Sequence, residues 1–86
     1  MKHGFITYGT IKSEWLPLAD KLMKEMDRVK ADAAKKGFNM LYWGHPYGVT
    51  ENVVVVYESE KGLADYHSLN LNNPYTGART NLVVIP

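Results

Sequence analysis

A histidine and a set of aromatic side chains carry whatever chemistry this chain can do. His67 closes the stretch from Glu51 to His67, ENVVVVYESEKGLADYH, in which four valines run into Tyr57 and a serine precedes a short helical pattern holding Tyr66. An imidazole set against a bound molecule can remove a proton from an acidic C–H or O–H group, so His67 is the candidate catalytic residue. The competing reading is a structural histidine bonded to a nearby backbone carbonyl, because no second acid or nucleophile is visibly paired with it. His45, before Pro46, reads as a turn residue, and His3 sits at the terminus. The three histidines are far apart and there is no cysteine, so neither metal-ligand spacing nor a disulfide is present. Glu58 and Glu60 complement the positive end of a helix dipole and need no catalytic role.

The candidate ligand-binding residues are mainly aromatic. Trp43 and Tyr57, with Tyr42, could wall a flat ligand, although aromatics fill cores and interfaces more often than they bind cofactors. Tyr66 lies on the same short helix as His67. Trp15, Leu22 and Met26 share the sheet-facing stripe of a long helix, and methionine adapts to pockets of irregular shape. Asn70 could hold a ligand oxygen or cap the end of the second helix. Tyr75, in the segment Asn72 to Gly77, is the candidate lid.

These residues must be positioned by one small domain spanning residues 1–86. Its 10 basic and 9 acidic residues are interspersed and leave a net charge of +1, which provides no basic stripe for nucleic acid. Neither a signal peptide nor a membrane-spanning stretch is visible. The expected location is cytoplasmic, with no cofactor, metal, nucleic acid or membrane partner.

Phe5 to Thr10 reads as a strand bounded by Gly4 and Gly9. Ser13 and Glu14 mark a helix start with Pro17 in the first turn. From there Trp15, Leu18, Leu22, Met26, Val29 and Ala33 recur at helical period, and Gly37 is placed for a left-handed cap. Phe38 to His45 is the second strand, Asn52 to Glu58 the third, and Ser59 to about Leu71 the second helix. Asn72 to Gly77 is a loop, and Arg79 to Ile85 the fourth strand. The order βαββαβ predicts a ferredoxin-like sandwich, an α+β fold with a four-stranded antiparallel sheet and both helices on one face. Simple alternation sets Phe38, Met40 and Tyr42 against Leu41 and Trp43 in the second strand. It also leaves both sheet faces apolar, with roughly 400 Å² beyond the reach of two helices. The bare face is expected to meet its own copy in a homodimer.

With Tyr57, the Glu58-Ser59-Glu60 segment and Leu63-Ala64-Asp65-Tyr66-His67, this pattern resembles the dimeric α/β-barrel superfamily, nearest to its antibiotic-biosynthesis-monooxygenase type and to small members without an assigned role. Tyr57 stands where tryptophan is common there, and the spacing from aromatic to histidine is one residue longer. The resemblance implies a sheet-to-sheet dimer that binds an apolar or aromatic small molecule between sheet and helices, often without a cofactor. It leaves room for a cofactor-free monooxygenase or an isomerase-like enzyme. The alternative is a structural or regulatory dimerisation module whose interior is filled by its own side chains.

Overall fold

The computed structural model describes residues 1–86, apart from the side chain of residue 78. Its elements are β1 (Lys2–Ile11), a 3₁₀ turn (Ser13–Trp15), α1 (Ala19–Lys35), β2 (Asn39–Gly44), β3 (Val53–Ser59), α2 (Leu63–His67) and β4 (Tyr75–Ile85). The strands form a 4-stranded sheet in the order β2-β3-β1-β4, and every neighbouring pair is antiparallel. This α+β arrangement is compatible with a ferredoxin-like fold.

Alternation sorts the central strands into an inward and an outward face. Phe5 faces Tyr57 across β1 and β3, and Thr7 faces Val55. Val53, Val55 and Tyr57 are buried, and α1 lays Leu22, Met26, Val29 and Ala33 into the same core cluster. The α2 side chain Tyr66 stacks on Phe5 with ring centroids 4.6 Å apart, so both helices cover the Phe5–Tyr57 face. Ile6 pairs with Val56 on the opposite face, which no helix covers.

The long helix starts later than its apolar pattern predicts. Ser13 and Glu14 enter a 3₁₀ turn and α1 begins at Ala19, because Pro17 has no N–H to continue the bonding from that turn. Trp15 still packs half-buried against the core. The far end follows the expected cap. Gly37 adopts φ +87°, its N–H reaches the Ala34 carbonyl at 3.1 Å, and the Phe38 N–H reaches the Ala33 carbonyl at 3.0 Å. These are the paired bonds of a Schellman ending, with Phe38 as its buried apolar contact.

Three other expectations are corrected. A bulge between Met40 and Tyr42 makes Leu41 the extra residue, so Trp43, rather than Tyr42, joins Met40 on the core face. The second helix shrinks to five residues. Ser59 ends β3 rather than beginning that helix: its hydroxyl donates to the Gly37 carbonyl at 2.7 Å and accepts the Lys61 N–H at 3.0 Å. At the other end the Ser68 hydroxyl donates back to the Asp65 carbonyl at 2.8 Å, and the chain turns left-handed at Asn72 with φ +51°. Lastly, Tyr75, Thr76 and Gly77 belong to β4 rather than to a loop, with Tyr75 paired to Ile11 and buried. Tyr75 is therefore a fixed wall, not a lid. Among the described residues, no helix is long and apolar enough to cross a membrane.

Candidate functional site

The shortness of α2 opens a cleft of about 410 Å³ between the sheet, α2 and the chain that follows it. Its floor comes from Thr7 on β1, Tyr57 on β3, and Gly77, Arg79 and Thr80 on β4; Tyr66, His67, Leu69, Leu71, Asn73 and Tyr75 supply the walls. The segment after α2 is held down by Arg28 of α1. Its guanidinium donates to the carbonyls of Leu71 at 3.1 Å and Asn72 at 3.0 Å, and also binds Glu25 and Asp32 of its own helix. The Lys12 N–H reaches the Pro74 carbonyl at 3.0 Å and fixes the far end.

Hydroxyl groups dominate the chemistry of the lining. The Thr7 hydroxyl bonds that of Tyr66 on one side and that of Thr80, at 2.8 Å, on the other. Register explains the trio: Thr7 and Thr80 are opposite one another across β1 and β4, and Tyr66 comes down on them from α2. Tyr57 is 1% exposed, and its hydroxyl has no hydrogen-bond partner. The Tyr75 hydroxyl is close enough to perturb it, yet the geometry between the two falls short of a hydrogen bond. The Asn73 side-chain oxygen is likewise buried and unpartnered. Burial drives the acidity of Tyr57, Tyr66 and Tyr75 in one direction, raising each pKa above the usual phenol value. All three hydroxyls thus keep their protons through the neutral range and serve as donors.

His67 stands exposed at the rim, its ring 6.2 Å from that of Tyr66. Among the described residues it makes no hydrogen bond. The carbonyl-bonded arrangement weighed for His67 belongs instead to His3, whose Nδ1 is 3.1 Å from the Lys61 oxygen, and to His45, whose Nδ1 is 2.8 Å from that of Asn52. Arg79 is already engaged, donating to Glu51 at 3.0 Å with its guanidinium 4.3 Å over the Tyr8 ring. That pairing holds the Glu51 carboxyl below its usual pKa.

Of the residues singled out from the sequence, Tyr57, Tyr66, His67 and Tyr75 come together at this cleft. Leu22 and Met26 are in the core under α1, Trp15 and Trp43 pack against that core, and Asn70 is exposed; none of these five lines the cleft. Sequence reasoning missed Thr7, Asn73 and Thr80. Thr7 did leave a signal, as the one hydroxyl in the inward series Phe5, Thr7, Gly9, Ile11, where apolar groups are the rule. Asn73 left none, because its burial depends on the path of the chain after α2. Comparison of the chain with protein-family models, curated proteins and solved structures found no match.

Proposed function

We propose that this protein binds a small molecule with an aromatic or otherwise apolar body in the cleft beside α2, and that it does so as a homodimer of the dimeric α/β-barrel kind. One observation carries the binding reading: two buried polar groups, the Tyr57 hydroxyl and the Asn73 oxygen, are left unpartnered in residues lining the same cleft. Buried polar groups without partners are uncommon and costly in folded proteins, and ligand sites are where that cost is recovered. The cleft volume falls in the lower part of the range for ligand pockets, whereas a purely structural dimerisation module has no use for it.

The assembly half of the proposal rests on the face that the helices leave bare. Ile6, Tyr42, Val54, Val56, Val83 and Ile85 share it by register, and Tyr42 is 61% exposed. A second copy applied face to face would cover this surface with an identical one, which a two-fold axis allows without further adaptation. The enzymatic reading, a cofactor-free monooxygenase or isomerase-like reaction with a proton passing to His67, depends on that rim imidazole alone. A cytoplasmic location belongs to the same proposal.

Native mass spectrometry of freshly purified protein tests both halves together. The expected result is a dimer carrying extra mass of a few hundred daltons per chain. A stable monomer at micromolar concentration would remove the sheet-to-sheet dimer. Once a ligand is identified, unchanged affinity and turnover in His67→Ala would take the histidine out of the mechanism.

A further inference from the structure

The lining of the cleft has more protons to donate than it uses. It holds five hydroxyls, those of Thr7, Thr80, Tyr57, Tyr66 and Tyr75. Tyr66, Thr7 and Thr80 form a chain of three joined by two bonds. Whichever way the protons point along it, one O–H remains unspent. Tyr57 and Tyr75 are neighbours that make no proper bond, and even a perfect bond between them would use only one of their two protons. At least two O–H donors are therefore left over. The lining also contains no aspartate or glutamate that could accept them. Among the buried side-chain atoms of the lining, the Tyr57 hydroxyl and the Asn73 oxygen have no partner.

Resting on the ligand-binding reading of this cleft, we propose that the ligand is a small carboxylate whose two oxygens accept the surplus tyrosine and threonine hydroxyls. A carboxylate supplies two acceptor atoms on one carbon and takes charge-assisted bonds from neutral donors. With no fixed acid in the wall, it meets no like charge there. An ammonium ligand finds no carboxylate in the wall to offset its charge. A neutral alcohol accepts without the charge assistance of a carboxylate and adds a donor of its own. The aromatic ring of Tyr66 with Leu69 and Leu71 then faces the apolar body of the ligand.

Three probes of one shape separate the possibilities: benzoate, benzyl alcohol and benzylamine, each titrated at neutral pH into isotopically labelled protein with amide shifts as the readout. Benzoate is expected to bind at least about tenfold more tightly than benzyl alcohol, with shifts centred on Thr7, Tyr66, Asn73 and Thr80. The double variant Tyr57→Phe, Tyr75→Phe should weaken benzoate about tenfold or more and benzyl alcohol much less, its amide spectrum confirming the fold. If benzyl alcohol or benzylamine binds the cleft as well as benzoate, the carboxylate assignment is overturned while the binding reading stands. If none of the three moves the cleft resonances, both fall. Benzoate shifts that survive unchanged in the double variant would overturn the assignment of the donors.

Discussion

Tyr57 shows how a single atom separates a stability role from a binding role. Its ring belongs to the core, touching Tyr66 edge-on with centroids 5.8 Å apart, while its hydroxyl is buried and unpartnered. Removing an oxygen that has no bond to lose deletes a desolvation cost, so Tyr57→Phe should hold stability constant or raise it by up to about 1 kcal/mol in urea denaturation. A loss of more than that would mean the hydroxyl is bonded after all. Thr7→Val should do the opposite, stranding the Tyr66 and Thr80 hydroxyls at a cost of about 1–2 kcal/mol. The buried phenols also fix the alkaline behaviour. Their folded pKa values are raised above 10.0, the ordinary value at which the unfolded chain ionises. Between those limits the folded state holds protons that the unfolded state has released, so stability must fall as pH rises. Stability should be level up to about pH 9, then decline by at most about 1.4 kcal/mol per pH unit for each buried tyrosine. Urea midpoints across that range measure the slope, and Tyr57→Phe should make it shallower.

The segment from α2 to β4 sets the form of the cleft. Five residues are too few for a helix to hold itself, and α2 depends on tertiary contacts, above all the stacking of Tyr66 on Phe5. The chain beyond it is tied by Arg28 through the carbonyls of Leu71 and Asn72. Arg28→Met keeps the aliphatic stem and removes both bonds, so amide exchange over residues 68–74 should speed up. The global loss should be only about 1 kcal/mol, since the guanidinium is partly solvated. Unchanged exchange there would show that the Lys12–Pro74 bond suffices to hold the segment. Gly9 has a different task at the opposite end of the site. A β-carbon there would sit 2.6 Å from the Thr76 carbonyl oxygen, at the point where the β1–β4 register shifts between Tyr8 and Gly9. Gly9→Ala should push β4 outward and lower stability by more than any of the preceding substitutions.

At the scale of the whole molecule, the uncovered sheet face governs association. Its apolar centre is flanked by the Lys2–Glu58 pair at 3.5 Å and the Arg79–Glu51 pair at 3.0 Å, both satisfied within the chain. Val54 lies on this face, half-buried, beside Tyr8. Val54→Lys should convert the proposed dimer to a monomer in sedimentation analysis and leave the core intact. Persistence of the dimer would place the contact elsewhere, for example along β4, where Leu82 and Val84 are 42% and 53% exposed. The element order was readable from the sequence because each signal is local. Helical period marked α1, a run of valines marked β3, and Gly37 sat where only a left-handed residue closes the helix. Alternation along β3 and β4 likewise separated Tyr57 from Val56 and Leu82 from Val83, while the strand register put Phe5, Tyr57 and Leu82 on one face. What tertiary structure alone decided is the content of the cleft. A one-residue bulge in β2 reassigned Tyr42 and Trp43, and the side-chain bonds of Ser59 and Ser68 cut α2 to five residues. The Arg28 clamp brought Asn73 under cover more than forty residues away in the chain. Local sequence sets the preferences of each segment, but a hydroxyl chain such as Tyr66–Thr7–Thr80 exists only when register and packing bring residues 7, 66 and 80 to one place.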